Sequence, residues 1–136
     1  SGIGTTLAGN MLGLAALRAT LSEVMTGPAY AVMLAQAESL AQGLREAIAR
    51  HGLPWCVTQI GARCEFQFRA QPPRNGAEGR AAEDDELSQA IHLALLNRGV
   101  MITPFHNMML TCPATREPDV ARLLGAFDET LARVVS

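Results

Sequence analysis

Three stretches of this 136-residue chain bring together residue types that can do chemistry. The first is Gly4-Thr5-Thr6-Leu7-Ala8-Gly9-Asn10, just ahead of a helical pattern. Backbone N–H groups at a helix start, joined by a threonine hydroxyl, form an anion site through unpaired donors and the helix dipole. The G-K-[ST] ending of a Walker A loop is absent, and the spacing is not that of a G-x-G-x-x-G loop after a strand. On pattern alone, the stretch is either a loose start before a helix cap or one half of a phosphate site. The second stretch is TPFHNMMLTCPAT, residues 103 to 115, with His106 in a turn between two apolar runs. A turn histidine is commonly a surface or packing residue. Flanked by Phe105 and Met108, it can instead line a pocket and meet a substrate near its own pKa. The third is Arg63, at the head of an alternating run. It reads either as an ion-pair partner for a nearby acid or as a clamp for a substrate carboxylate.

Composition excludes more than it suggests. All eleven basic residues are arginine, so chemistry that needs an amine side chain is closed to this chain by itself. Net charge is −2, which gives no footprint for nucleic acid. No apolar run reaches the roughly 18 residues of a membrane span, and no signal segment opens the chain. Cys56, Cys64 and Cys112 lie in apolar surroundings and read as buried free thiols of a cytoplasmic protein. No Cys or His pair has metal-ligand spacing. Ser39 and Ser88 lack a neighbouring base and an elbow turn, which argues against a serine hydrolase. His51 and His92, at a helix end and within a helix, read as structural. Hydrophobic residues make up 49% of the chain and charged ones only 18%, so either the core is generous or one face awaits a cover.

The elements that must position these residues follow from periodicity. Asn10 caps a helix to Met25 that is apolar on nearly every side, and Thr26-Gly27-Pro28 ends it. From Pro28 to His51, Leu34, Ala37, Leu40, Ala41, Leu44, Ala47 and Ile48 recur at helical spacing. Alternation over 55–60 and 64–69 predicts two strands joined near Gly61. Residues 70–82 read as a loop. A third helix begins at the acidic run Glu83 to Glu86, where negative charge suits the dipole, and ends at Gly99. Short strands are expected over 100–103 and 108–111, and Pro118 opens a last helix. The fold class is α+β, with a small, mainly antiparallel sheet covered on one face by helices.

Taken in order, these stretches resemble the C-terminal part of fold-type I, class III PLP-dependent aminotransferases, the glutamate-1-semialdehyde aminomutase-like ones above all. The matching pieces are Gly4 to Asn10, Gly61-Ala62-Arg63, Pro72-Pro73-Arg74-Asn75, Asn97-Arg98-Gly99-Val100, Pro104-Phe105-His106-Asn107, and Ala114-Thr115 to Asp119. No piece is decisive alone, but they are co-linear over essentially the whole chain. The resemblance implies pyridoxal 5'-phosphate as cofactor and a homodimer. It also implies a large N-terminal domain, which would carry the Schiff-base lysine and is missing from this chain. Residues 1–27 would form the interface segment and first helix at the junction with that domain, and 28–136 the small α+β domain. Thr6, with Thr5 in the preceding slot, matches the threonine that reaches the cofactor phosphate of the neighbouring subunit. His106, Asn107 and Met108 match the place where the small domain closes over an amino or keto substrate, and Arg63 is a candidate carboxylate contact. Met11 stands where the family has proline. The turn reads P-F-H-N rather than P-S-x-F-E, which favours amino-group transfer between two compounds over the aminomutase reaction. The rival reading is a stand-alone, non-catalytic α+β interaction or regulatory module.

Overall fold

The computed structural model describes residues 9–103 and 106–134. The Asn10 side chain accepts from the Gly13 N–H at 2.7 Å and caps α1, Met11–Ala19. The helix widens into a π-helical turn over Thr20–Val24, where the Met25 N–H reaches back to the Thr20 carbonyl. Thr26 caps α2, Gly27–Arg50, with Pro28 in its first turn. Along α2 the buried stripe is Met33, Ala37, Leu40, Ala41, Leu44, Ala47 and Ile48. Leu34, expected in that stripe, is instead 45% exposed, and Met33 takes its place one residue earlier.

The hairpin of β1 (Cys56–Ile60) and β2 (Arg63–Gln67) pairs Ile60 with Arg63 across a two-residue turn. In that turn Gly61 has φ +56°, the left-handed first position that a II′ turn requires. β3, Met108–Leu110, adds antiparallel to β2, so β2 is central in the order β1-β2-β3. Val57, Cys64, Phe66 and Met109 form the buried face of the sheet, against α2 and α5 (Glu117–Val134). Phe66 lies 5.0 Å from Phe127 of α5 and 6.1 Å from Trp55, ring centre to ring centre. Such aromatic pairs add about 0.5–1.5 kcal/mol each beyond burial. The opposite face is open: Ile60 is 76% and Leu110 63% exposed.

Three expectations need correction. Within 70–82 a short helix, α3 (Gly76–Arg80), forms because the Asn75 side chain accepts from the Glu78 N–H and caps it. Residues 100–103 are not a strand; only the Thr103 N–H reaches β3, at Met108, while Val100 and Ile102 turn into the core. The thiols are free but not uniformly buried: Cys64 is buried, Cys56 half-buried and Cys112 exposed. α4, Asp85–Leu96, is capped by Asp84 as the acidic run suggested. It ends in a Schellman turn, with Val100 N–H to Leu95 and Gly99 N–H to Leu96. Gly99, at φ +72°, has Arg122 where a Cβ would stand.

Candidate functional site

β3 is only three residues long, so it covers β2 only as far as Glu65. Beyond that point the edge of β2 is open, and the Phe66 N–H is met instead by the Asn107 carbonyl at 3.3 Å. α4 and the segment ahead of it lie across the gap. Between them is a pocket of about 520 Å³, bordered by His106, Asn107, Glu65, Glu83, Asp85 and His92, among others.

His106 is exposed at the mouth, whereas Asn107 is only 7% exposed. The Asn107 Oδ1 and the His92 Nε2 are buried and have no hydrogen-bond partner among the described residues. Burial holds His92 below its usual pKa, so its ring is neutral at neutral pH and adds no positive charge. Arg63 is on the open face of the sheet, 3.3 Å from Glu65, with half its side chain exposed. Met108 alternates to the side away from Asn107 and borders a separate, more apolar hollow of about 380 Å³ with Leu40 and Val120. Thus His106 and Asn107 come together, Arg63 touches their pocket only through Glu65, and Met108 stands apart. Thr5 and Thr6 lie outside the described residues.

Glu83, Asp85 and His92 were not singled out as site residues from sequence. The acids read as a helix start, which Asp85 also is; both are exposed and border the pocket from the rim. Thr111 was missed as a support. Its buried hydroxyl donates to the Met33 carbonyl at 2.8 Å, tying the end of β3 to α2. Elsewhere, burial pushes the Cys64 thiol up to about 11. The hydroxyl of Thr115, with nearby backbone N–H groups, holds exposed Cys112 below the ordinary thiol range. No group of three or more metal-ligating side chains occurs among the described residues. No helix there is long and apolar enough to cross a membrane.

No family profile matches the chain. Individual proteins do. Over 96% of its length it is 29% identical to glutamate-1-semialdehyde 2,1-aminomutase 2 of Staphylococcus saprophyticus, and over 93% it is 34% identical to the aminomutase of Anaeromyxobacter. The crystal structure of a glutamate-1-semialdehyde aminomutase from Pseudomonas aeruginosa superposes with a TM-score of 0.93, at 50% identity over 98% of the chain. The chain corresponds in sequence and fold to the C-terminal part of glutamate-1-semialdehyde aminomutases and of class III aminotransferases. Its fold is that of their small C-terminal α+β domain. A β-phenylalanine aminotransferase of the same family, from Variovorax paradoxus, superposes at 0.83 with 26% identity over 98% of the chain. The chain spans about 30% of the length of the curated relatives it matches. The comparisons do not favour the independent interaction module.

A second Pseudomonas aeruginosa structure of this family was solved with PMP, an amine form of the cofactor. The described residues here do not by themselves fit such a group. The pocket carries the carboxylates of Glu65, Glu83 and Asp85, which repel a phosphate dianion, and the chain contains no lysine.

Proposed function

We propose that this chain is the C-terminal small domain of a PLP-dependent class III aminotransferase that transfers an amino group between an amino compound and a keto or aldehyde acceptor. The observation that carries the reading is the superposition on the Pseudomonas aeruginosa aminomutase, at half-identical sequence over nearly the whole chain. PLP supplies an electron sink for the amino-group chemistry when bound. The large N-terminal domain of the same enzyme holds that cofactor and the lysine, in the cytoplasm and as a homodimer. This domain contributes the Thr5-Thr6 hydroxyls to the phosphate held by the neighbouring subunit, and the His106 turn as part of the lid. Arg63, on the open face of the sheet, and Met108, in its separate hollow, are the remaining candidates for substrate contact. The 136 residues alone are then inactive.

Two features support this division. α1 is apolar and buries no residue, as expected of a helix that packs on another domain. The pocket beside His106 opens at an incomplete sheet edge, where a second domain completes the wall. The test uses the protein at its full natural length. It should retain PLP through dialysis and transfer an amino group to a keto acid. Thr6→Val should weaken cofactor affinity about tenfold, the loss of one charge-assisted hydrogen bond. A full-length protein that holds no PLP, or a Thr6→Val variant with unchanged cofactor affinity and activity, contradicts the respective part of the reading.

A further inference from the structure

His106 and Asn107 hang on a very short strand. β3 pairs with β2 at three positions only: Met108 with Glu65, Met109 with Cys64 and Leu110 with Arg63. Three residues is the short limit for a strand, so the bonds at its two ends count for more than they would in a longer ladder. A slip of one residue would turn Met109, now buried against the helices, to the open face of the sheet. At the end nearer the pocket the Phe66 N–H meets the Asn107 carbonyl at 3.3 Å, a long bond. At the far end stands Thr111, buried. Its N–H donates to the Ala62 carbonyl at 3.0 Å, in the β1-β2 turn. Its hydroxyl donates to the Met33 carbonyl of α2 at 2.8 Å. No other hydrogen bond of residues 106–111 reaches a helix among the described residues. Thr111 thus pins the strand to the hairpin and to α2 at one point. The chain from there to Asn107 is β3 itself, about 13 Å of extended backbone, so a shift at Thr111 is passed on to residues 106 and 107.

We propose that Thr111 is a positioning residue: its hydroxyl fixes β3 against α2 and so sets where His106 and Asn107 stand at the pocket. Thr111 borders the apolar hollow beside Met108 and not the pocket of His106, so it acts through the strand and touches no substrate there. A threonine that only filled space could be replaced by valine, which has the same shape. A threonine that positions through its hydroxyl can be replaced by serine and not by valine. The effect on amino-group transfer rests on the aminotransferase reading; the positioning of residues 106 and 107 does not.

The test is hydrogen exchange of the Phe66 amide in the full-length protein, resolved by fragmentation mass spectrometry, because that amide reports the bond to Asn107. Thr111→Val should speed its exchange about fivefold, the loss of one hydrogen bond, and Thr111→Ser should keep the parent's rate. Thr111→Ala, which leaves a gap in place of a methyl, should match valine. Thr130→Val is the control. It removes an equally buried hydroxyl, bonded within α5 to the Ala126 carbonyl at 2.8 Å, and should leave the Phe66 amide unchanged. A Phe66 amide unmoved by Thr111→Val, equal acceleration in Thr130→Val, or a serine variant as fast as the valine variant overturns the proposal. Exchange needs no cofactor, so this result is read whether or not the protein takes up PLP. In the PLP-loaded protein, Thr111→Val should raise the KM for the amino donor about fivefold, with kcat held within about twofold and serine restoring both, as for a contact made equally in the ground and transition states. Faster exchange at Phe66 with an unchanged KM supports the positioning and contradicts the substrate role that the aminotransferase reading gives to His106 and Asn107.

Discussion

Two apolar regions of this chain have opposite fates. The stripe of α2, from Met33 to Ile48, is closed against β2 and α5, and Leu44, Phe66, Phe127 and Leu131 are fully buried. α1 and its π-helical extension are as apolar, yet Leu12 is 82% exposed and no residue from Met11 to Val24 is buried. Hydrophobicity therefore does not report a core in this protein. What differs is the cover: the apolar stripe of α2 has β2 and α5 to close on, whereas α1 finds no such cover among the described residues. The 49% hydrophobic content divides between a core made within the chain and a surface that suits the rest of an aminotransferase.

The comparison can be broken most forcefully in the closed region. Phe127→Ala removes a fully buried ring that packs at a tilt against Phe66 and should cost about 3–5 kcal/mol in urea unfolding. A loss under about 1 kcal/mol would mean that the sheet and α5 are not packed as described. The thiols sharpen the contrast next. Cys112 should react with a disulfide reagent in the native protein at a pH below that of an ordinary thiol, because Thr115 and nearby backbone N–H groups stabilise its thiolate. Cys64, buried and pushed up to about 11, should react only on unfolding. Mass spectrometry of the labelled peptides distinguishes the two.

A smaller effect is expected at α3. Arg74 holds the Glu78 carboxylate with side-chain and backbone donors, which lowers its pKa. The support it gives is therefore present above the ordinary carboxylate pKa and is lost as pH falls through the lowered value. Circular dichroism of Glu78→Gln against the parent should show a difference at neutral pH that disappears in acid. The smallest effect belongs to the open region. Leu17→Ala on α1, where Leu17 is 53% exposed, should change the stability of the 136-residue chain by no more than about 0.5 kcal/mol.

What the sequence disclosed follows the same division. The stripe of α2, the hairpin at Gly61 and the start of α4 at the acidic run were legible because spacing and turn chemistry are local. Leu34 was misplaced by one position because at an end of the stripe Met33 and Leu34 both satisfy the period, and the helix as packed turns Met33 inward and leaves Leu34 exposed. α3 was missed because a single Asn cap outweighs a glycine-rich composition over five residues. Residues 100–103 were read as a strand from their apolar run, but the short β3 offers them one hydrogen bond. In the candidate site, His106 and Asn107 were visible as polar residues in an apolar turn. That Glu83 and Asp85 border the same pocket was not, since it depends on how segments far apart in the chain come together.

The central claim is that the exposed face of α1 belongs under another part of a PLP enzyme. Amide hydrogen exchange over residues 11–24, in the 136-residue chain and in the full-length, PLP-loaded protein, tests it most directly. The account predicts fast exchange in the isolated chain and strong protection in the full-length protein, with the α2 and α5 amides protected in both. Equal, fast exchange of residues 11–24 in the two forms would contradict it.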